Sequence, residues 1–336
     1  MPLYAFTTVK FLQKLVPDIP PLGTAIGILT LFYAINVIGI KPTALVQFGL
    51  TACLLLALAV FVVFGVPAIK VENFTPLFTG GSMGFVVSSA LLFTLLAGGL
   101  YVIDLGEETK AAKSTIPRAL PVSIVIVMVF YLAVEAVAVG VLDWKAFTNP
   151  ADQTLAVPAA AFLPTPLLYF FFVGGGVLAC VTTIHAIMAL GGRYFLVFAE
   201  DGFLPSFFGH INKRFGTPHW GLTLGYILTL IGSVFITSLE TMGLMVNFGL
   251  IFLITLVNLA AYSLPKKHPE IYENAGFRPK ERTLKITSLA AVALNFFLMA
   301  ILAIAMRWAF IVFVVTAFLG LGVYYFVSRR KRAASL

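Results

Sequence analysis

Charge is what this sequence lacks most. Asp, Glu, Lys and Arg make up 11% of its 336 residues, where a soluble domain carries about 25%. A water-facing surface of that size cannot be covered so thinly, which excludes an ordinary soluble globular fold. Cysteine is almost missing as well. Cys53 and Cys180 both sit inside apolar runs, so neither a disulfide framework nor a cysteine-based metal site is expected. No apolar stretch carries His, Asp and Glu at catalytic or metal-ligand spacing, and there is no phosphate-binding glycine loop. The chain is therefore not expected to be an enzyme, and nucleotide-driven transport would need a separate motor subunit. No cleavable secretory leader is expected either, because the first apolar run is long and uncharged and has no small-residue cleavage site behind it.

What is present is hydrocarbon. Sixty per cent of the residues are apolar, 14% are aromatic with Phe predominant, and the mean hydropathy is +1.02. A helix needs about 20 apolar residues to cross a bilayer core, and that length marks nine spans, near 19–40, 44–66, 84–106, 119–142, 165–190, 220–238, 242–264, 284–305 and 308–327. Breakers such as Lys41-Pro42, Gly65-Val66-Pro67 and Ser263-Leu264-Pro265 separate several of them. The stretch Leu155–Leu163, closed off by Asn149-Pro150 and Pro164, is too short to cross and predicts an interfacial helix. The fold class expected is all-α, a polytopic helical membrane protein whose partner is the lipid bilayer.

The net charge of +8 does not predict a nucleic-acid partner, since the basic residues stand between apolar runs, where they orient a membrane protein. Seventeen of the 22 Lys and Arg fall in the loops after spans one, three, five and seven and in the tail Arg329-Arg330-Lys331-Arg332. Only Lys10, Lys14, Lys70, Lys145 and Arg307 fall on the other side. The asymmetry predicts a cytoplasmic C-terminus, with an added attraction of the tail to anionic lipid, and, with nine spans, an outside Met1.

Span three carries Gly98-Gly99 at mid-membrane, between Phe93-Thr94-Leu95-Leu96-Ala97 and Asp104. Each glycine weakens a helix by about 1 kcal/mol relative to Ala. Transporters use such breaks to free backbone groups for substrate and ions; close helix packing through small residues is the alternative.

Three blocks then carry a resemblance. The first is Glu107-Glu108-Thr109-Lys110-Ala111-Ala112-Lys113-Ser114-Thr115-Ile116-Pro117-Arg118-Ala119. The second runs from Gly192-Arg193 through Ala199-Glu200-Asp201-Gly202 and Pro205 to Asn212-Lys213-Arg214-Phe215-Gly216-Thr217-Pro218. The third is Asn36-Val37-Ile38-Gly39-Ile40-Lys41 with Gln47. In order and spacing they resemble blocks of the amino acid–polyamine–organocation (APC) superfamily of permeases, with Ala111-Ala112 in place of the usual Asn-Pro. The resemblance implies a fold of two inverted five-helix repeats, here N-terminally incomplete. Residues 1–18 correspond to the end of family helix three, 19–66 to helices four and five, 84–264 to helices six to ten (the second repeat), 284–327 to helices eleven and twelve, and 328–336 to a basic cytoplasmic tail.

By the same resemblance the function is secondary active transport of amino acids or related organocations by alternating access, across the cell membrane. Phe93, Thr94, Leu95, Leu96, Ala97, Gly98 and Gly99 would face the substrate. Leu100 stands where many members have an acidic residue, and Asp104 reads as a gate or helix-end residue. No organic cofactor is implied. Ala179, Thr182 and Thr183 resemble a sodium site of related transporters, and hydroxyl and carbonyl oxygens suit a hard cation, so Na⁺ symport is one expectation. The alternative is that both hydroxyls bond back to their own helix. Glu135, near the centre of span four, is the candidate for proton coupling instead, while Leu54 stands where proton-coupled members have a lysine. His185, Asn247, Asn258 and Asn295 are expected to make hydrogen bonds between helices. A truncated remnant unable to transport is the competing reading of the whole chain.

Overall fold

A computed structural model of the chain describes residues 1–147, 154–235 and 239–334; the side chains at 40–43, 94–97, 100, 104–105, 107–108, 235, 239–241, 244, 323 and 329–334 lie outside the described set. Among the described residues every regular element is helical: α1 Pro2–Leu15, α2 Pro21–Ile38, α3 Ile40–Gly65, α4 Gly81–Ala97, α5 Ala112–Val141, α6 Ala156–Phe162, α7 Thr165–Phe171, α8 Leu178–Glu200, α9 His219–Phe235, α10 Leu239–Lys267, α11 Pro269–Glu273, α12 Glu281–Ala305 and α13 Arg307–Ala334. Among the described residues, seven helices are long and apolar enough to cross a membrane, and two shorter apolar ones, Gly81–Phe93 and His219–Val234, fall on two further expected spans. The protein is a multi-pass membrane protein. Its large exposed side chains include Phe48, Val63, Leu132, Trp308 and Phe318, which suit lipid and not water. The short helix expected at 155–163 is α6. The third span departs from expectation. Its α-helix stops at Ala97, and Gly98–Glu108 continue as a 3₁₀ helix.

The chain divides into two compact units. The first holds residues 1–77 and 130–239 with the C-terminal 327–336. Its centre is the rod α7–α8, whose two parts are joined by a π-helical turn, Phe172–Val177. One core cluster packs Phe61 of α3 against Phe171, stacked at 4.8 Å, with the Phe162 ring edge-on at 5.2 Å. Another packs Ala5 and Val9 of α1 and Leu29 of α2 on Ile184, Met188 and Leu222. The π turn is made of Gly174-Gly175-Gly176, and small size is what the site demands. A Cβ on Gly174 would lie 2.7 Å from that of Ala57, and one on Gly176 would lie 2.4 Å from the Phe11 ring.

The second unit holds residues 78–129 and 240–326. Ala90 of α4, Phe248 and Ile251 of α10, Leu298 and Leu302 of α12 and Ala309 of α13 form its core. Asn247 and Asn258 donate to Gly243 O and Ile254 O, one turn back in their own helix and not to a neighbour as expected. A helical amide reaches the carbonyl four residues earlier with no help from packing. The Asn295 amide nitrogen is buried without a hydrogen-bond partner among the described residues.

Helix α5 starts from a strained residue. Ala111 has φ +51° and its carbonyl accepts from the N–H groups of Ser114 and Thr115, both at 3.0 Å. A left-handed conformation costs an L-residue roughly 1–2 kcal/mol, and Asn and Gly adopt it most readily. An alanine in this conformation is therefore a local liability. Ala111→Gly is expected to stabilise the protein by about 1 kcal/mol, read as a higher melting midpoint in detergent; an unchanged or lower midpoint would contradict the strain.

Candidate functional site

The sequence offered a helix break or close packing at Gly98-Gly99; the chain stays helical there, and its winding changes from α to 3₁₀ at Gly98. Eleven residues of 3₁₀ helix is long, since its poorer hydrogen bonds seldom persist beyond about four residues, and a 3₁₀ stretch inside a helix often marks a functional hinge. The two glycines have different surroundings. A Cβ on Gly99 would approach Leu120 of α5 at 3.3 Å, whereas one on Gly98 would meet nothing within 4 Å. Close packing thus accounts for the smallness of Gly99 but not of Gly98. Phe93 packs on the core cluster around Phe248 and Leu298. The side chains of Thr94, Leu95, Leu96, Ala97 and Asp104 lie outside the described residues.

The second group of site residues sits one turn past the π helix. π turns inside α-helices recur at functional sites because they displace the hydrogen-bond register. Thr182 and Thr183 both donate to the carbonyl of Ala179, at 3.0 and 3.2 Å. The hydroxyls therefore bond back to their own helix, and the three oxygens lie together. The glutamate expected in the fourth span, Glu135, is exposed on α5, and no ion pair or hydrogen bond to it is found among the described residues. The break and the hydroxyl cluster belong to different compact units.

His185, two residues beyond Thr183, makes the bond between helices that its position suggested. The Asn36 amide nitrogen donates to Phe32 O at 2.8 Å and to His185 Nδ1 at 3.0 Å. Both side chains are buried, His185 completely. With a carbonyl oxygen as its other partner, this end of the amide must be the nitrogen. Nδ1 of His185 is then the acceptor, and the ring hydrogen resides on Nε2.

Val37, the next residue, continues the connection. Its carbonyl accepts from Thr217 Oγ1 at 3.0 Å and from His219 Nε2 at 3.2 Å. The loop that supplies them is held by Asn212, whose Oδ1 accepts from the N–H groups of Arg214 and Phe215 while its own N–H donates to Thr217 O. Two of the blocks singled out in the sequence, Asn36-x-x-Gly39 and Asn212 to Pro218, are thus one clasp that ties the end of α2 to the start of α9.

Beside the clasp is a cavity of about 350 Å³ lined by Tyr33, His210, Asn212, His219, Trp220 and Thr223. Thr223 donates to His219 O and so accepts from Tyr33 Oη, at 2.8 Å each. Apart from Asn212, the sequence reading singled out none of these residues, because they come from segments more than 170 positions apart. No carboxylate, Lys or Arg is among these lining residues, so the cavity offers an amino acid hydrogen-bonding groups but no opposite charge. Among the described residues no group of three or more His, Cys, Asp or Glu could hold a metal.

Comparison with known proteins adds the family. The family described as "Amino acid permease" matches residues 3–329. The methylthioribose transporter of Bacillus subtilis is 26% identical over 251 residues, which cover 75% of this chain and 53% of that protein. The branched-chain amino acid permease BcaP of the same bacterium is 24% identical over 302 residues, 87% of this chain and 61% of its own length. The low-affinity putrescine importer PlaP of Escherichia coli K12 is 28% identical over 269 residues, 75% of this chain and 58% of its own. The chain thus spans little more than half the length of these relatives. The family match leaves out only a few residues at each end: the chain belongs to the amino acid permease family, within the APC superfamily.

Proposed function

We propose that this chain serves secondary active transport of amino acids or related organic cations across the cell membrane by alternating access, with its C-terminus in the cytoplasm. The observation that carries the reading is the change from α to 3₁₀ at Gly98. It shifts the backbone hydrogen-bond register inside an apolar span, where transporters interrupt helices at their binding sites, and at a glycine that packing does not require to be small. Phe93 to Gly99 is the segment assigned to the substrate. The relatives' names, which cover an amino acid, a polyamine and a thiosugar, support a small organic solute, and the family supports an amino acid or its amine.

Ala179, Thr182 and Thr183 are assigned to a coupling Na⁺. Both hydroxyl oxygens already lie within 3.2 Å of the Ala179 carbonyl oxygen. Rotating the two hydroxyl hydrogens away from Ala179 would turn three oxygens toward a cation, which requires several more from other segments. Proton coupling through Glu135 is the second reading, favoured by an exposed carboxylate in the apolar run of α5.

Uptake of labelled amino acids into proteoliposomes under a Na⁺ or an H⁺ gradient tests both. Na⁺-stimulated uptake that Thr182→Ala with Thr183→Ala abolishes, and Glu135→Gln leaves intact, is the expected result. Uptake that follows the proton gradient and is lost in Glu135→Gln would transfer the coupling to the carboxylate. No uptake under either gradient would support the transport-incompetent remnant.

A further inference from the structure

The connection between α10 and α12 is folded, basic and greasy at once. Tyr272 of the single-turn helix α11 donates its hydroxyl hydrogen to Pro279 O, which pins the connection back on itself. The Arg278 guanidinium lies over the Tyr272 ring, 5.8 Å from its centroid. Lys285 pairs with Glu281 and stands 6.0 Å from the centroid of Tyr262, so that pair's charges satisfy each other. Lys266, Lys267, Arg278, Lys280 and Arg282 remain, all exposed, and the same connection carries the exposed carboxylates Glu270 and Glu273; His268 lies 3.5 Å from Glu270. Two large apolar side chains stand out among the cations, Ile271 at 56% exposure and Phe277 at 71%.

We propose that this connection is a docking surface for anionic phospholipid headgroups of the surrounding bilayer. Lys266, Lys267, Lys280 and Arg282 meet the phosphates, and Ile271 and Phe277 enter the boundary between headgroups and acyl chains. The two helices that it joins are both long and apolar enough to span, and α10 ends on Lys266 and Lys267, so both ends of the connection are held near the membrane surface. Surface binding of this kind combines buried apolar area with attraction to anionic headgroups. A soluble anion would use the cations and leave Ile271 and Phe277 in water. A lipid uses both. The cations are spread over an open surface and not gathered into an enclosed pocket, which suits a layer of headgroups better than one small ligand. The inference holds whether or not the chain transports.

The test places a reporter at the surface. Full-length Phe277→Trp is reconstituted in phosphatidylcholine vesicles containing the same mole fraction of brominated phosphatidylglycerol or of brominated phosphatidylcholine. Quenching is corrected by the unsubstituted protein, which has Trp144, Trp220 and Trp308. About twofold stronger quenching by the anionic lipid is expected, disappearing in 0.5 M salt as screening removes the attraction. It should also disappear when Lys266, Lys267, Lys280 and Arg282 are all changed to Gln. Equal quenching by the two lipids would overturn the proposal, as would a preference that survives the four substitutions. Loss of the preference on adding millimolar glycerol phosphate, at constant ionic strength, would reassign the surface to a soluble phosphate.

Discussion

Gly221→Leu is expected to eliminate folded protein. Helices α8 and α9 meet backbone to backbone at one crossing. A Cβ on Gly221 would lie 2.5 Å from the carbonyl oxygen of Gly192 and 3.2 Å from the Cβ of Phe195, while one on Gly192 would lie 2.8 Å from the Leu222 side chain. The neighbour at 2.5 Å is main chain inside a helix, so it cannot turn aside as a side-chain end could. The helices must separate, and with them the packing of Leu222 on Ile184 and Met188. Inserting one or two methyl groups into a packed core typically costs 1–3 kcal/mol; a leucine against backbone exceeds what most domains have to spare. The measurement is the monodisperse peak in detergent chromatography of a fluorescent fusion. Gly221→Ala should keep that peak and lower the melting midpoint, whereas Gly249→Ala, where a Cβ would meet nothing within 4 Å, should leave it unchanged. A full-height peak for Gly221→Leu would show that α8 and α9 do not cross this closely.

Asn36→Leu is expected to produce the second largest loss. The substitution deletes two hydrogen bonds at a buried position and leaves His185 Nδ1 facing hydrocarbon. A buried polar group stripped of its partner costs about 1–3 kcal/mol, while replacing both partners by apolar groups of similar shape can be nearly neutral. A double-mutant cycle separates these terms. Asn36→Leu and His185→Leu should each lower the melting midpoint clearly. The double variant should fall well short of the sum, by about 1 kcal/mol or more of coupling. Additive losses would mean that the two side chains contribute separately, and that the contact at 3.0 Å holds nothing together.

Much of this architecture could be read from the residues, for definable physical reasons. Span positions follow from hydropathy, which is local and cumulative, so seven of the nine expected spans fall on helices long and apolar enough to cross and the other two on shorter apolar helices. The break at Gly98-Gly99 was legible because glycine weakens a helix wherever it stands. How the broken segment continues was not legible: 3₁₀ and α-helix share the same residues and differ only in which carbonyl each N–H finds. The π turn had a visible signal in Gly174-Gly175-Gly176, but its meaning depends on Phe11 and Ala57, which approach from elsewhere in the sequence. The same limit applies to the clasp. Asn36, Asn212, Thr217 and His185 each stood out in or beside a block. That Asn36 meets His185, 149 positions away, and that Val37 receives Thr217, 180 positions away, is a statement about folded proximity that no local pattern contains. For Asn247 and Asn258, location within apolar runs suggested neighbours, when the nearest acceptor was one turn back in the same helix.

The 3₁₀ stretch has a mechanical corollary. A 3₁₀ helix rises about 2.0 Å per residue against 1.5 Å for an α-helix, so the eleven residues Gly98–Glu108 reach about 22 Å, where the same residues wound as α would reach about 16.5 Å. Rewinding the segment would draw its two ends together by about 5 Å, one α-helical pitch, and would carry the elements attached to those ends with it. A change of winding here would therefore act along the axis between the α4 core and the start of α5.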